Sequence, residues 1–384
     1  MNKEYFQRLN RIDLAVKHKP VDCVPIIGDV VEWAYYYRGY KPIDGLNDKQ
    51  VATDVFDHLC SDFYWDGMVP GSVRRLSPRI YTLLKGGHYH YNEDGLLIMS
   101  PDQIRYMTDE EYPELIEHPY EFIVGKVFDR KFELFRDESA NRKQERLNEV
   151  VRIYCDFFND ETFLNIAQNK YHIPVTTVGL ASSPADIILN QLRGLRNIIK
   201  DIKCKPELVA QAAEALMPYA MDRVAAIKPE DGKNIIIPTH LPAFLNPADF
   251  EKVYWPTFKR YVENLVDCGF TVMCNFEKNV EHLYEYLQDL PAHAIIGFFE
   301  GDDLLRTKKI LGKNMCIMGG MPIEYLHYRS KEECLDYAKF LVDELADGGG
   351  YIFSTNRPVM YPDDANADNL KAVNEFVHCY GVYH

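Results

Sequence analysis

CGFTVMCNFEKNVEHLYEYLQDLPAHAIIGFFE, residues 268–300, holds two strand–helix units in succession. Phe270 to Met273 is an apolar run that reads as a buried strand, and it stops at the polar tetrad Cys274-Asn275-Phe276-Glu277. Val280, Leu283, Tyr284 and Leu287 then recur at three-to-four spacing, which predicts an amphipathic helix. A second apolar run, Ala294 to Phe299, ends in Glu300, and Gly301-Asp302-Asp303 reads as the start of the next helix. Each unit therefore closes its strand with a carboxylate. In a parallel barrel, that end of the strands is where chemistry is carried out.

Outward from this stretch the alternation continues. Strands are predicted at 24–27, 63–69, 175–179, 235–238, 271–275, 294–299, 315–318 and 351–354, with helical patterns between them. Eight such repeats predict a single (β/α)8 TIM barrel spanning 1–384. An insertion at about 79–168 interrupts it: a β-hairpin over 79–98, then a long charged helical stretch over 113–168. His88 and His90, two apart in the hairpin, form a candidate metal pair whose plainer reading is solvent-facing polar residues. Ser183, followed by Pro184 and by Asp186 three residues on, predicts a capped helix start.

The totals limit the function. Lys plus Arg number 43 against 58 acidic residues, a net charge of −15 that argues against nucleic acid or an anionic membrane as partner. The first residues, MNKEYFQRLNRIDLAVKHK, are charged throughout and lack the apolar core of a signal peptide. Nine scattered cysteines with no CxxC fit reduced thiols, and a cytoplasmic location is expected. An aromatic content of 13% fits a heavily packed core or, alternatively, a pocket for a flat ring.

The stretches NPADFEKVYWPTFKRYVENLVDCG, FEKNVEHLYEYLQDLP, CIMGGMP and DGGGYIFST, with KPVDCVPIIG and SDFYWDG near the start, resemble the uroporphyrinogen decarboxylase-like superfamily. That superfamily includes porphyrinogen decarboxylases and zinc-dependent, corrinoid-linked methyltransferases. The arginine-rich tract of the decarboxylases is matched here only by Arg38-Gly39-Tyr40, and their C-terminal GHG by Thr355-Asn356-Arg357, without a histidine. The His-x-Cys of the thiol-methylating branch falls on Asn275 and Glu277. The Phe276-Glu277 pair is similar to the branch that demethylates methoxylated aromatic or related donors and passes the methyl group to a corrinoid protein. The resemblance thus implies a zinc- and corrinoid-dependent methyltransferase, with a separate corrinoid protein as partner. Decarboxylation of a small carboxylated substrate, held by Arg38 or Arg357, is the alternative, and a non-catalytic ligand-binding barrel is a third.

His240, Glu277 and Glu300 stand at the ends of the fourth, fifth and sixth predicted barrel strands, which are neighbours, and Cys316 lies in the seventh. Together they form the candidate metal set, since zinc needs three convergent donors and an open position. Such a set of hard donors would suit polarising an ether oxygen. Glu277 is also the candidate general acid. Asp29 and Asp66, read as following the first two strands, are further candidate catalytic residues, and Trp33, Tyr35, Tyr36 and Arg38 are candidate substrate contacts.

Overall fold

The computed structural model describes residues 2–69, 74–100, 104–137 and 139–382. Pro70 and Gly71, read as part of the loop after the second strand, lie outside the described residues. Among the described residues ten strands are formed: β1 (Ile27–Gly28), β2 (Gly67–Met68), β3 (Tyr89–Tyr91), β4 (Leu97–Met99), β5 (Thr177–Leu180), β6 (Asn234–Thr239), β7 (Thr271–Phe276), β8 (Ile295–Phe299), β9 (Cys316–Met321) and β10 (Tyr351–Thr355). β5 to β10 form a six-stranded parallel sheet in sequential order, and β1 pairs with β2 in parallel. Two parallel bridges, Met68 with Val175 and Ile26 with Phe353, join β2 to the β5 side and β1 to β10. The eight parallel strands therefore close into a ring, the (β/α)8 arrangement expected.

Alternation along the strands sorts side chains into two layers. Ile27, Ile236, Met273, Ile296, Phe298, Cys316, Met318 and Ile352 fill the barrel interior together with Ile12, Ala15 and Val16 of the first helix, Lys3–Val16. The intervening residues, among them Ile235, Ile237, Val272, Cys274, Phe276, Ile317 and Phe353, pack outward against the helices in the main core. The first helix thus plugs the barrel at the N-terminal ends of the strands, and the opposite end is left as the mouth.

Arg11 of that helix anchors the plug. Its guanidinium bonds to Asp66 and makes a bidentate pair with Asp22, at 2.7 and 2.6 Å. Asp66 also accepts from Tyr64 Oη at 2.9 Å and from the Ile26 amide at 2.9 Å.

The insertion is helical as expected over most of its length, with a 19-residue helix, Ala140–Phe158, standing beside the mouth. The hairpin is shorter than expected. Residues 79–84 form a helix, Arg79–Leu84, and only β3 and β4 pair, antiparallel. His88 precedes β3 and is buried, whereas His90 is exposed and near Ser100, so the two do not form a pair. Among the described residues, no helix is long and apolar enough to cross a membrane.

Candidate functional site

The inward-facing positions of the strands continue past their last residues into the mouth. On β6 the column runs Ile236, Pro238, His240; on β7, Met273, Asn275, Glu277; on β8, Ile296, Phe298, Glu300; on β1, Ile27, Asp29. β6 and β7 are in register, with Thr239 opposite Phe276, so His240 and Glu277 leave adjacent strands at the same height. Their side chains meet. His240 Nε2 lies 3.0 Å from Glu277 Oε1, and both groups are about one-third exposed.

Two residues behind His240 hold it. Asp186, 1% exposed, accepts from the amides of His240 (3.2 Å) and Leu241 (3.0 Å) through Oδ1, and from Ser183 Oγ (2.8 Å) and Tyr254 Oη (2.7 Å) through Oδ2. Asn190 Nδ2 lies 2.8 Å from His240 Nδ1. Burial by itself lowers the His240 pKa. The Glu277 hydrogen bond, the charge of Asp186 and the charge of Glu277 outweigh it, and the imidazole is held above its ordinary value. Asp186 is shifted upward by burial, opposed by His240 and its hydrogen-bond donors. Asp186 was legible as part of a helix cap, but its grip on the β6 terminus was not. Asn190 stands beside Gln191 in the otherwise apolar run IILNQL, where no local pattern marks it as a contact of His240.

The other candidates separate from this pair. Glu300 accepts the Lys278 amide at 3.0 Å, so its carboxylate braces the loop that follows Glu277. Cys316 opens β9, at the plugged end, five residues before Met321 at the mouth. At ~3.3 Å per residue it is roughly 16 Å from that rim. It is fully buried among apolar side chains, and burial pushes its thiol up to about 12. The expected four-residue metal set is therefore not brought together. Among the described residues, no group of three His, Cys, Asp or Glu is placed to hold a metal ion. His240 and Glu277 supply two donors where a zinc enzyme uses three, so the described residues do not fit a resident zinc.

Asp66 is corrected as well. It precedes β2 rather than following it, and its carboxylate is taken up by Arg11, Tyr64 and Ile26 at the plugged end. Asp29 is where it was expected, just beyond β1 and on the inward face. In the ring order β1, β2, β5, β6, β7, it stands across the mouth from Glu277. Its carboxyl is 8% exposed, and burial, opposed by the charge of Arg75, raises it to about 7. Arg75, unremarked in the sequence, binds Glu32 at 2.7 Å beside it.

Of the aromatic tract, Trp33 is core: its indole donates to the Ala365 carbonyl at 3.0 Å, and its ring stacks on Tyr37. Tyr35 is also buried, but it lines a cleft of about 250 Å3 with Glu32 and Arg75. Tyr36 is half-buried, and burial raises its phenol. Arg38 turns away from the mouth, to Asp54 at 3.4 Å. A second cleft, of about 430 Å3, lies over β2, β5 and β6, walled by Phe56, Met68, Phe157, Phe163, Leu164 and Val178. The two clefts share Arg74, Phe157, Asp160 and Phe163, so they adjoin.

No curated protein matches the chain in sequence. A methyltransferase from Methanosarcina mazei of known structure superimposes with a TM-score of 0.60 at 14% identity, covering 97% of this chain and 98% of that one. At that identity the likeness shows a shared fold. Residues 162–380 match the family Uroporphyrinogen decarboxylase (URO-D), from the start of the short helix Thr162–Asn165 to the end of the last helix. The chain, a closed parallel barrel with its polar pair at the mouth, belongs to the URO-D family.

Proposed function

We propose that this protein is a methyltransferase that takes a methyl group from a small methoxylated aromatic donor and delivers it to the cobalt of a corrinoid carried by a partner protein. The observation that supports this most is the His240–Glu277 pair, 3.0 Å apart at the mouth, in a barrel that also carries an aromatic-walled cleft of about 430 Å3 over β2, β5 and β6. That volume is in the range of small-molecule sites, and flat rings suit walls of Phe56, Phe157 and Phe163. The structural likeness to a methyltransferase and the family membership are consistent with it.

Breaking an aryl methyl ether moves the methyl group to the acceptor and leaves both electrons of the C–O bond on the phenolic oxygen. A docked reduced corrinoid supplies the nucleophile. The chain's own residues hold the ring in the cleft and give the departing oxygen the proton shared by His240 and Glu277. Partial exposure of both side chains lets water restore that proton. Acid assistance of this kind contributes about 10²- to 10⁴-fold. The mouth rim offers a protein partner an apolar landing place, with Phe158 72% and Leu180 67% exposed. No step is assigned to zinc.

The decarboxylase alternative finds less support. Arg357 is already engaged by Glu324 at 3.5 Å and Asp364 at 3.6 Å, and Arg38 by Asp54. The test is to incubate the protein with methoxybenzenes and free cob(I)alamin, and to follow phenol release and methylcobalamin absorbance. Stoichiometric appearance of both, lost in Glu277→Gln, is expected. Release of carbon dioxide from benzoates with no methyl transfer to cobalt would overturn the reading.

A further inference from the structure

Asp186 and Asn190 lie four residues apart on one continuous helical stretch, Pro184–Ile187 followed by the wider π-turns of Ile188–Arg193. Residues at that spacing share a helix face. That face is turned to the end of β6, and it holds His240 twice: Asp186 takes the backbone amides of His240 and Leu241, and Asn190 takes the ring. The contact on the ring is specific in direction. An amide N–H donates and cannot accept, so Asn190 Nδ2 at 2.8 Å requires a bare lone pair on His240 Nδ1. The neutral ring must then carry its proton on Nε2, the atom that faces Glu277 Oε1 at 3.0 Å, where a carboxylate can only accept.

We infer that Asn190 is a positioning residue that sets the tautomer of His240, keeping the neutral imidazole's proton on Nε2 and directed at Glu277. When the ring is charged, Nδ1 also carries a proton, and the Asn190 side chain rotates to present its oxygen instead. Asn190 thus serves both protonation states with one rotation, which neither a leucine nor an aspartate at this position does. The consequence for catalysis rests on the proposed acid role of the pair; the tautomer itself does not.

The test is nitrogen NMR of protein labelled with ¹⁵N-histidine, with the His240 signals assigned by their loss in His240→Gln. At pH above the ring's titration, the wild-type protein is expected to show a pyridine-type nitrogen at Nδ1 and a pyrrole-type nitrogen at Nε2. Asn190→Asp, nearly isosteric, accepts only. It is expected to move the proton to Nδ1 and to shift the ring's titration upward by at least one pH unit. A pyrrole-type Nδ1 in the unsubstituted protein, or an unchanged tautomer in Asn190→Asp, would overturn the inference. None of these signals depends on methyl transfer, so a failed tautomer assignment and a failed activity assay remain distinguishable.

Discussion

Replacing Asp29 with Asn changes one buried carboxyl into an amide of the same shape and removes its charge. In the folded protein that carboxyl is raised from its ordinary 3.8 to about 7 by burial, with Arg75 pulling the other way. A group whose folded pKa is raised makes its stabilising contribution below its unfolded pKa and loses it as pH rises through the folded one. The folded chain must release the Asp29 proton into an apolar setting, while the unfolded chain has already released it into water. At ~1.4 kcal/mol per pH unit, the interval from 3.8 to about 7 amounts to about 4 kcal/mol at most, lost between about pH 4 and pH 7. Urea unfolding of both proteins at half-unit steps from pH 4 to pH 8.5 reads this directly. Asp29→Asn should gain on the wild type across that window, by about 2–4 kcal/mol in total, with a flat difference above it. A difference that does not change with pH would show that Asp29 is not held neutral by burial, and the argument would fail.

Cys316→Ala should leave methyl transfer within about twofold, because the thiol sits in the plugged end of the barrel; its cost, read by urea midpoint, should be about 1–2 kcal/mol for the small void. A loss of turnover equal to that of Glu277→Gln would put Cys316 back in the site. Asp66→Asn should destabilise by about 3–5 kcal/mol, since it strips a buried pair from Arg11 while changing nothing at the mouth. Thermal denaturation checks this, and an unchanged midpoint with a raised KM would restore Asp66 as a substrate contact.

The barrel was legible because its strands are short runs of consecutive apolar residues bounded by polar turns, a pattern that burial on both faces demands. Ile235-Ile236-Ile237 and Tyr351-Ile352-Phe353 are such runs, and each appears as a strand within a residue or two of its expected bounds. The first two strands were less legible. Only two residues pair in each of β1 and β2, so the longer apolar tract around Trp65 masked where pairing begins and put Asp66 at the wrong end. The site divides in the same way. His240 and Glu277 follow directly from two in-register neighbouring strands, which sequence alternation can place. Glu300 shares their height, but its carboxylate is drawn to the Lys278 amide, a demand created by that loop's turn. Cys316 shares the inward face and differs in depth along the barrel, which periodicity of two does not encode. Asn190 reaches His240 across 50 residues of chain, a contact with no local pattern to announce it.

In the proposed reaction the His240–Glu277 pair hands a proton to the oxygen that leaves. Its most direct measurement is the single-turnover demethylation rate for a series of ring-substituted methoxybenzenes whose phenols span several pKa units, in the wild type and in Glu277→Gln. With the proton supplied, the wild-type rate should depend only weakly on phenol acidity. In Glu277→Gln, unassisted departure should make the rate fall steeply as the phenol becomes less acidic. Equal slopes in the two proteins would contradict the account, whatever the size of the overall loss.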